Sequence, residues 1–304
     1  MRAHHAAVVL VLLTSAVSIQ AGSYAGVLKT YTLPPEAKAR IVDLAASSDV
    51  LMLGEIHGTR EVPGLVAGLL TSLTDRGYHT LALEVPNDAQ VALLAWARGE
   101  TGTIPDFFAK PSGDGRGNAQ LLELVRIAVA PPHRWQIVCF DVPESFLEKK
   151  YQALIQKKRP AGADAAQLTA HDGTDIWRER DAGMASNLLK ETGSLKATDK
   201  VLAICGNIHA RTTNDAKDTE LSQLWPTFAA MVKEGRPAWR VRSVNVELFG
   251  GSYFNNGKVQ TVRPARPLEQ AVVRPGAGSG WDLILSLPEA SPATFLRPVR
   301  TIQR

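Results

Sequence analysis

The sequence predicts an α/β protein: a mostly parallel sheet with helices on both faces and late antiparallel strands. Three observations carry this. Apolar runs alternate with amphipathic stretches along most of the chain. The apolar runs are continuous, as strands buried on both sides are. The amphipathic stretches between them are long enough to carry the crossovers that parallel strands need.

Taken in order, "VLMLGE" (50–55) reads as a buried strand. The stretch 61–77 reads as a helix, with Val66, Leu69, Leu70 and Leu73 at helical spacing and Gly77 as its stop. "HTLALEVP" (79–86) is a strand, followed by a helix over 87–100 with Asn87 or Asp88 as cap. Gly and Pro punctuate a loop over 101–118, and a helix over 119–130 ends before Pro131–Pro132. "RWQIVCFDVP" (134–143) is a strand, 144–159 an amphipathic helix, 161–173 a small excursion and 175–193 a helix. "KVLAICGNIHA" (200–210) is a strand. The tail differs: 237–254 alternates, 257–264 is placed to pair with it as a hairpin, and "WDLILSLP" (281–288) follows a Gly/Pro-rich linker. No repeat of solenoid period is visible.

The N-terminus begins with Arg2, runs apolar from Ala6 to about Val17 and exits through small residues at Ala21, the layout of a secretory signal peptide. Residues 1–21 are therefore read as a signal peptide and 22–304 as a single α/β domain. The expected location is exported, periplasmic or secreted, with no stable membrane span after cleavage. A formal charge of +4, without a run of five like charges or a basic stripe interleaved with aromatics, excludes nucleic acid as the expected partner. The two cysteines, Cys139 and Cys205, sit inside apolar strand-like runs and read as buried free thiols. With no CxxC pair, a cysteine zinc site is excluded.

Four core strands end in polar or ionisable residues: Glu55 and His57, then Glu84, then Asp141, then Asn207 and His209. In an open parallel sheet the carboxyl ends of the strands share one edge, and ligands bind in the crevice outside it. Glu55, His57, Glu84, Asp141 and His209 are therefore expected in one cleft. Two imidazoles with carboxylates suit a divalent metal such as Zn, Mn or Fe, with His57, His209, Glu55 and Glu84 as ligands. They equally suit a metal-free site in which a carboxylate orients an imidazole that acts as a general base on water. There is no G-x-S-x-G elbow, so water is the expected nucleophile. On the helix of "RERDAGMASNLLK", Arg180, Met184, Asn187 and Leu188 share a face. Arg180 is placed to clamp a substrate anion or to orient a carboxylate. Asp141 and Asn207 are read with it, as substrate contacts or supports of the catalytic groups.

"GEIHGTREVP" resembles the opening motif of erythromycin esterase-like proteins, with one residue fewer between Glu and His, and also the first G-x-x-H motif of the Tiki/TraB-type metalloproteases. "CGNIHA" is similar to the second G-x-x-H of the latter. "RERDAGMASN" resembles a segment shared by erythromycin esterase-like and ChaN-like haem-binding proteins. The resemblance covers roughly residues 40–250 and points to the superfamily joining these groups. It implies that His57, His209, Glu55 and Glu84 are the catalytic residues. The function it implies is hydrolysis of an ester or amide bond in a small-molecule or peptide substrate by an activated water, with a divalent metal as the expected aid. The alternative it implies is a haem- or iron-binding envelope protein, for which Tyr78, Tyr151 and Tyr253 are the available tyrosines.

Overall fold

The computed structural model describes residues 26–111, 113–158, 170–196, 198–214, 219–263 and 266–296. The expected signal peptide and most of the excursion expected at 161–173 lie outside the described residues.

Among the described residues the chain opens with α1 (Pro35–Ala46), β1 (Val50–Glu55), α2 (Glu61–Thr74) and β2 (Tyr78–Pro86). A 3-10 turn at Asn87–Ala89 leads into α3 (Gln90–Ala97), followed by α4 (Asp106–Ala109), α5 (Ala119–Val129) and β3 (Gln136–Asp141). Next come α6 (Glu144–Lys158), α7 (Ala170–Glu191), β4 (Lys200–Gly206), α8 (Thr219–Ser222) and α9 (Phe228–Gly235). The chain closes with β5 (Val241–Leu248), β6 (Ser252–Asn255), β7 (Lys258–Thr261), β8 (Val272–Pro275) and β9 (Leu283–Leu287).

Seven strands form one sheet in the order β3-β2-β4-β1-β5-β9-β8. Every neighbouring pair is parallel except β8 with β9. The pleat sends successive side chains to opposite faces, and each face has its own apolar cover. Leu51, Leu53, Leu81 and Leu83 pack with Ile41 of α1, Leu69 and Leu70 of α2, and Leu122 and Val125 of α5. Met52, Ala82, Ala203 and Phe140 face the other way, against Met184 and Leu188 of α7 and Phe228 and Val232 of α9. Both faces of the central strands are thus dry, which is why their sequences do not alternate. Cys139 and Cys205 are free and buried, on strands that β2 separates.

The tail refines the expectation. β5 and β9 run parallel to the main sheet, and antiparallel pairing is confined to β8 and to the separate hairpin β6–β7. The alternation in 237–254 comes from Ser243 and Asn245, which are polar yet buried, 0% and 3% exposed, between buried valines. A polar side chain inside a buried strand mimics a wet face. The hairpin turns at Asn256–Gly257, both at positive φ (52° and 73°), as a two-residue primed turn requires. Two helix starts also differ. α7 begins at Ala170 rather than 175, and neither Asn87 nor Asp88 caps α3 with its side chain.

Candidate functional site

β1, β4, β2 and β3 are consecutive neighbours in the sheet, so their carboxyl ends form one continuous edge. Glu55, the last residue of β1, accepts from His57 Nδ1 at 2.9 Å. His209, just past β4, pairs its Nδ1 with Asp181 Oδ1 at 2.5 Å, while Asp181 Oδ2 accepts from the Phe228 N–H at 2.8 Å. Each imidazole therefore has a carboxylate on Nδ1 and presents Nε2. Both Nε2 atoms face Glu84 of β2, at 3.6 Å from His57 and 3.8 Å from His209. Gly206 is what lets the rings converge. A Cβ there would lie 3.1 Å from His57 Nε2 and 3.2 Å from His209 Cδ2. Trp177 of α7 lies flat on His209, with ring centroids 4.5 Å apart.

Glu84 and Asp141 are buried, 5% and 1% exposed, and two guanidinium groups neutralise them. Arg180 donates Nε to Asp141 Oδ1 at 2.9 Å and Nη2 to Asp141 Oδ2 at 2.7 Å and Glu84 Oε1 at 2.5 Å. Its Nη1 meets His209 Nε2 at 3.3 Å. An arginine can only donate, so this pairing fits a His209 that carries its proton on Nδ1. Arg116 bridges Glu84 Oε1 at 3.2 Å and Asp141, and is itself held by Asp114. Glu84 Oε2 takes the Gly206 N–H at 2.6 Å. Burial pushes the Glu84 carboxyl up, but Arg180, His209 and His57 hold it well below the usual range. Asp141 is lowered against its burial by Arg180 and Arg116. His57 shows the opposite result: burial disfavours its charge, yet Glu84 and Glu55 overcome this and raise its pKa to about 10.

The structure thus brings Glu55, His57, Glu84, Asp141, Arg180 and His209 together. Asn207 contributes its backbone, its N–H donating to Glu55 O at 2.9 Å and its carbonyl accepting from Trp281 Nε1 at 3.0 Å. Asn187 of α7 donates to Phe140 O at 3.1 Å, pinning that helix to the end of β3. Arg116, Asp181 and Trp177 belong to the site without having been singled out in the sequence.

The expected metal-ligand set of His57, His209, Glu55 and Glu84 does not assemble as one. Among the described residues, no group of three or more His, Cys, Asp or Glu side chains is arranged to hold a metal ion. The physical reason is that the carboxylate both rings face is already committed. Glu84 accepts from two guanidinium groups and a backbone N–H, and Glu55 accepts from His57. A divalent ion beside Glu84 would sit against Arg180. Of the tyrosines weighed for haem, Tyr78 is fully buried with its hydroxyl 3.0 Å from Ser48 Oγ, and Tyr253 donates to Gln260 at 3.1 Å. Tyr151 of α6 is 44% exposed.

Arg180 gives its Nε and Nη2 hydrogens to Asp141 and Glu84 and one Nη1 hydrogen to His209, the contacts of a group that orients carboxylates. Arg180→Lys is expected to lower both turnover and thermal stability. A single ammonium cannot span Asp141 and Glu84, and a buried carboxylate left short of donors costs about 1–3 kcal/mol. An unchanged melting temperature would return Arg180 to a peripheral role.

No protein-family model matches the sequence, and no curated protein sequence matches it as a relative. Solved structures do match. A mutant of the erythromycin esterase EreC in its open conformation is 12% identical, with 89% of this chain and 98% of that one aligned and a TM-score of 0.59. This chain and EreC share one fold. A succinoglycan biosynthesis protein matches at 12% identity over 86% of this chain and 93% of its own, with a TM-score of 0.57. ChaN of Campylobacter jejuni, in a structure with cofacial haem, is a more distant neighbour at 12% identity, 81% and 90% coverage and a TM-score of 0.42. At such identities the likeness to EreC is one of architecture.

Proposed function

We propose that the chain is a hydrolase that activates water, without a metal, against an ester or amide bond of a small-molecule or peptide substrate. The observation that carries this reading is the meeting of two carboxylate–imidazole pairs, Asp181–His209 and Glu55–His57, at Glu84. Their roles follow from their surroundings. Asp181 holds the Nδ1 proton of His209, and the Nε2 lone pair takes a proton from water once that water displaces the 3.3 Å contact with Arg180 Nη1. The water oxygen then bonds to the carbonyl carbon. His57 is already protonated at neutral pH and is the more open of the two rings, with 16% of its side chain exposed against 3% for His209. It stabilises the developing oxyanion and gives its proton to the leaving group. Glu84 faces both Nε2 atoms and stabilises whichever ring is charged. Arg116 and Arg180 keep that carboxylate ionised and fixed. The likeness in fold to an erythromycin esterase supports the reading, and the cluster here lies at the open carboxyl edge of a parallel sheet.

The test is hydrolysis of a panel of ester and peptide substrates by the untagged protein, with chelator and with added Zn or Mn, beside a haem titration. The expected result is turnover that survives chelation. A Soret band with no hydrolysis under any metal condition would sink the proposal in favour of haem carriage.

A pH dependence follows. The acidic form of His57 is the working form, so kcat/KM is expected to fall as pH rises through about 10. Stability changes in the same direction. The folded-state pKa is raised from 6.5, so the ion pairing of His57 contributes fully below 6.5 and is lost as pH climbs through about 10. Thermal unfolding from pH 6 to 11 on wild type and His57→Gln checks this. An alkaline limb of equal size in both would show that another group titrates.

A further inference from the structure

We infer that the chain holds a second, buried oxyanion-binding site at Arg211, two residues beyond His209. Arg211 is 1% exposed, and its Nε, Nη1 and Nη2 have no hydrogen-bond partner among the described residues. The contrast with Arg116 and Arg180 is direct, since those two buried guanidinium groups are met by carboxylates. The chain around Arg211 is tightly held. Thr227 Oγ1 donates to its carbonyl at 2.5 Å, and the Thr212 N–H donates to Gly280 O at 2.8 Å. Its guanidinium passes Gly280, where a Cβ would come within 2.5 Å of Nε, and lies over Trp281 with its carbon 5.7 Å from the ring centroid. Gly280 has φ +92° and no side chain, which is what lets the guanidinium pass this close to the backbone.

A guanidinium does not shed its proton at neutral pH, so it cannot escape burial by becoming neutral as a lysine can. Stacking on Trp281 recovers only part of the hydration that the cation has lost. A stable state therefore needs an anion against the fork. The fork's planar, paired donors match a carboxylate or a phosphate. The anion is either a free small oxyanion or an acidic group carried by the substrate; the second source rests on the hydrolase reading. Trp281 links the site to the catalytic edge, because its Nε1 donates to Asn207 O between the two strand ends.

Inorganic phosphate is the probe, followed by thermal unfolding of wild type and Arg211→Met and by phosphorus NMR line broadening on wild type. Wild type is expected to gain roughly 5 °C at phosphate about a hundredfold above its Kd. Arg211→Met is expected to melt higher than wild type in phosphate-free buffer and to ignore phosphate, because an isolated buried charge has been replaced by an apolar chain. Competitive inhibition of hydrolysis by phosphate assigns the site to a substrate group, and stabilisation with KM unchanged assigns it to a free ion. Stabilisation in a protein that hydrolyses nothing keeps this inference and removes only the hydrolase reading. A wild type indifferent to phosphate in both measurements, or an Arg211→Met that responds equally, overturns it. A destabilised Arg211→Met beside an indifferent wild type means that the chain itself supplies the counter-charge, which overturns it as well.

Discussion

Glu84→Ala is expected to be the most damaging single substitution in this chain, removing detectable turnover and about 3–5 kcal/mol of stability. The loss comes from what remains. Arg116, Arg180 and a charged His57 would then surround a site with one carboxylate fewer, and the Gly206 N–H would lose its acceptor. Glu84→Gln keeps the shape but turns one oxygen into a donor facing other donors, so it is expected to fall between wild type and alanine. Urea unfolding beside an activity assay checks both variants. A Glu84→Ala protein that unfolds at the wild-type urea concentration would mean that the carboxylate is not the centre of the charge lattice.

His209→Ala is expected to cost at least ~100-fold in kcat/KM, the low end for a positioned acid–base group. The sheet should survive, because His209 lies beyond the end of β4. The ring is nevertheless 2% exposed beneath Trp177, so a stability loss on the order of 2 kcal/mol accompanies the change. Circular dichroism, thermal unfolding and kinetics on the same preparation separate the two effects. Haem titration of the variant adds a control: haem affinity that drops with hydrolysis would tie both to one site, contrary to the mechanism proposed here.

The sheet edge was legible in the sequence because parallel strands are buried on both faces. A polar residue at the end of such a run stands out against its apolar neighbours, as Glu55, Glu84, Asp141 and His209 do. Arg116 was not legible for the converse reason. It sits in "SGDGRGN", where glycines mark a loop without saying where the loop returns. Asp181 stood inside the segment already singled out. Helical neighbours point in different directions, and this hides that Arg180 and Asp181 serve one site: the first meets Glu84 and Asp141, the second reaches His209. The expected metal set does not assemble among the described residues, because residue types show which atoms can bind an ion but not which are already bonded. The direction of β5 was obscured by Ser243 and Asn245, whose polarity imitated exposure.

The loops carrying His57 and Arg116 are clasped from far along the chain. Gly58 O accepts from the N–H of Phe254 on the hairpin and from the N–H of Ala293, and a Cβ at Gly58 would collide with Phe254 O at 1.8 Å. Gly257 donates to Gly113 O at 2.9 Å, and Ala119, at the start of α5, donates to Thr294 O at 2.8 Å. Glu55, His57, Glu84, Asp141, Arg180 and His209 have therefore all left the ribosome before the segments that hold those loops are made. The nascent chain carries these side chains unaimed until the hairpin and the segment after β9 have followed. A polypeptide stopped after β5 would retain the same side chains and most of the central strands, with nothing to hold the two loops that aim them.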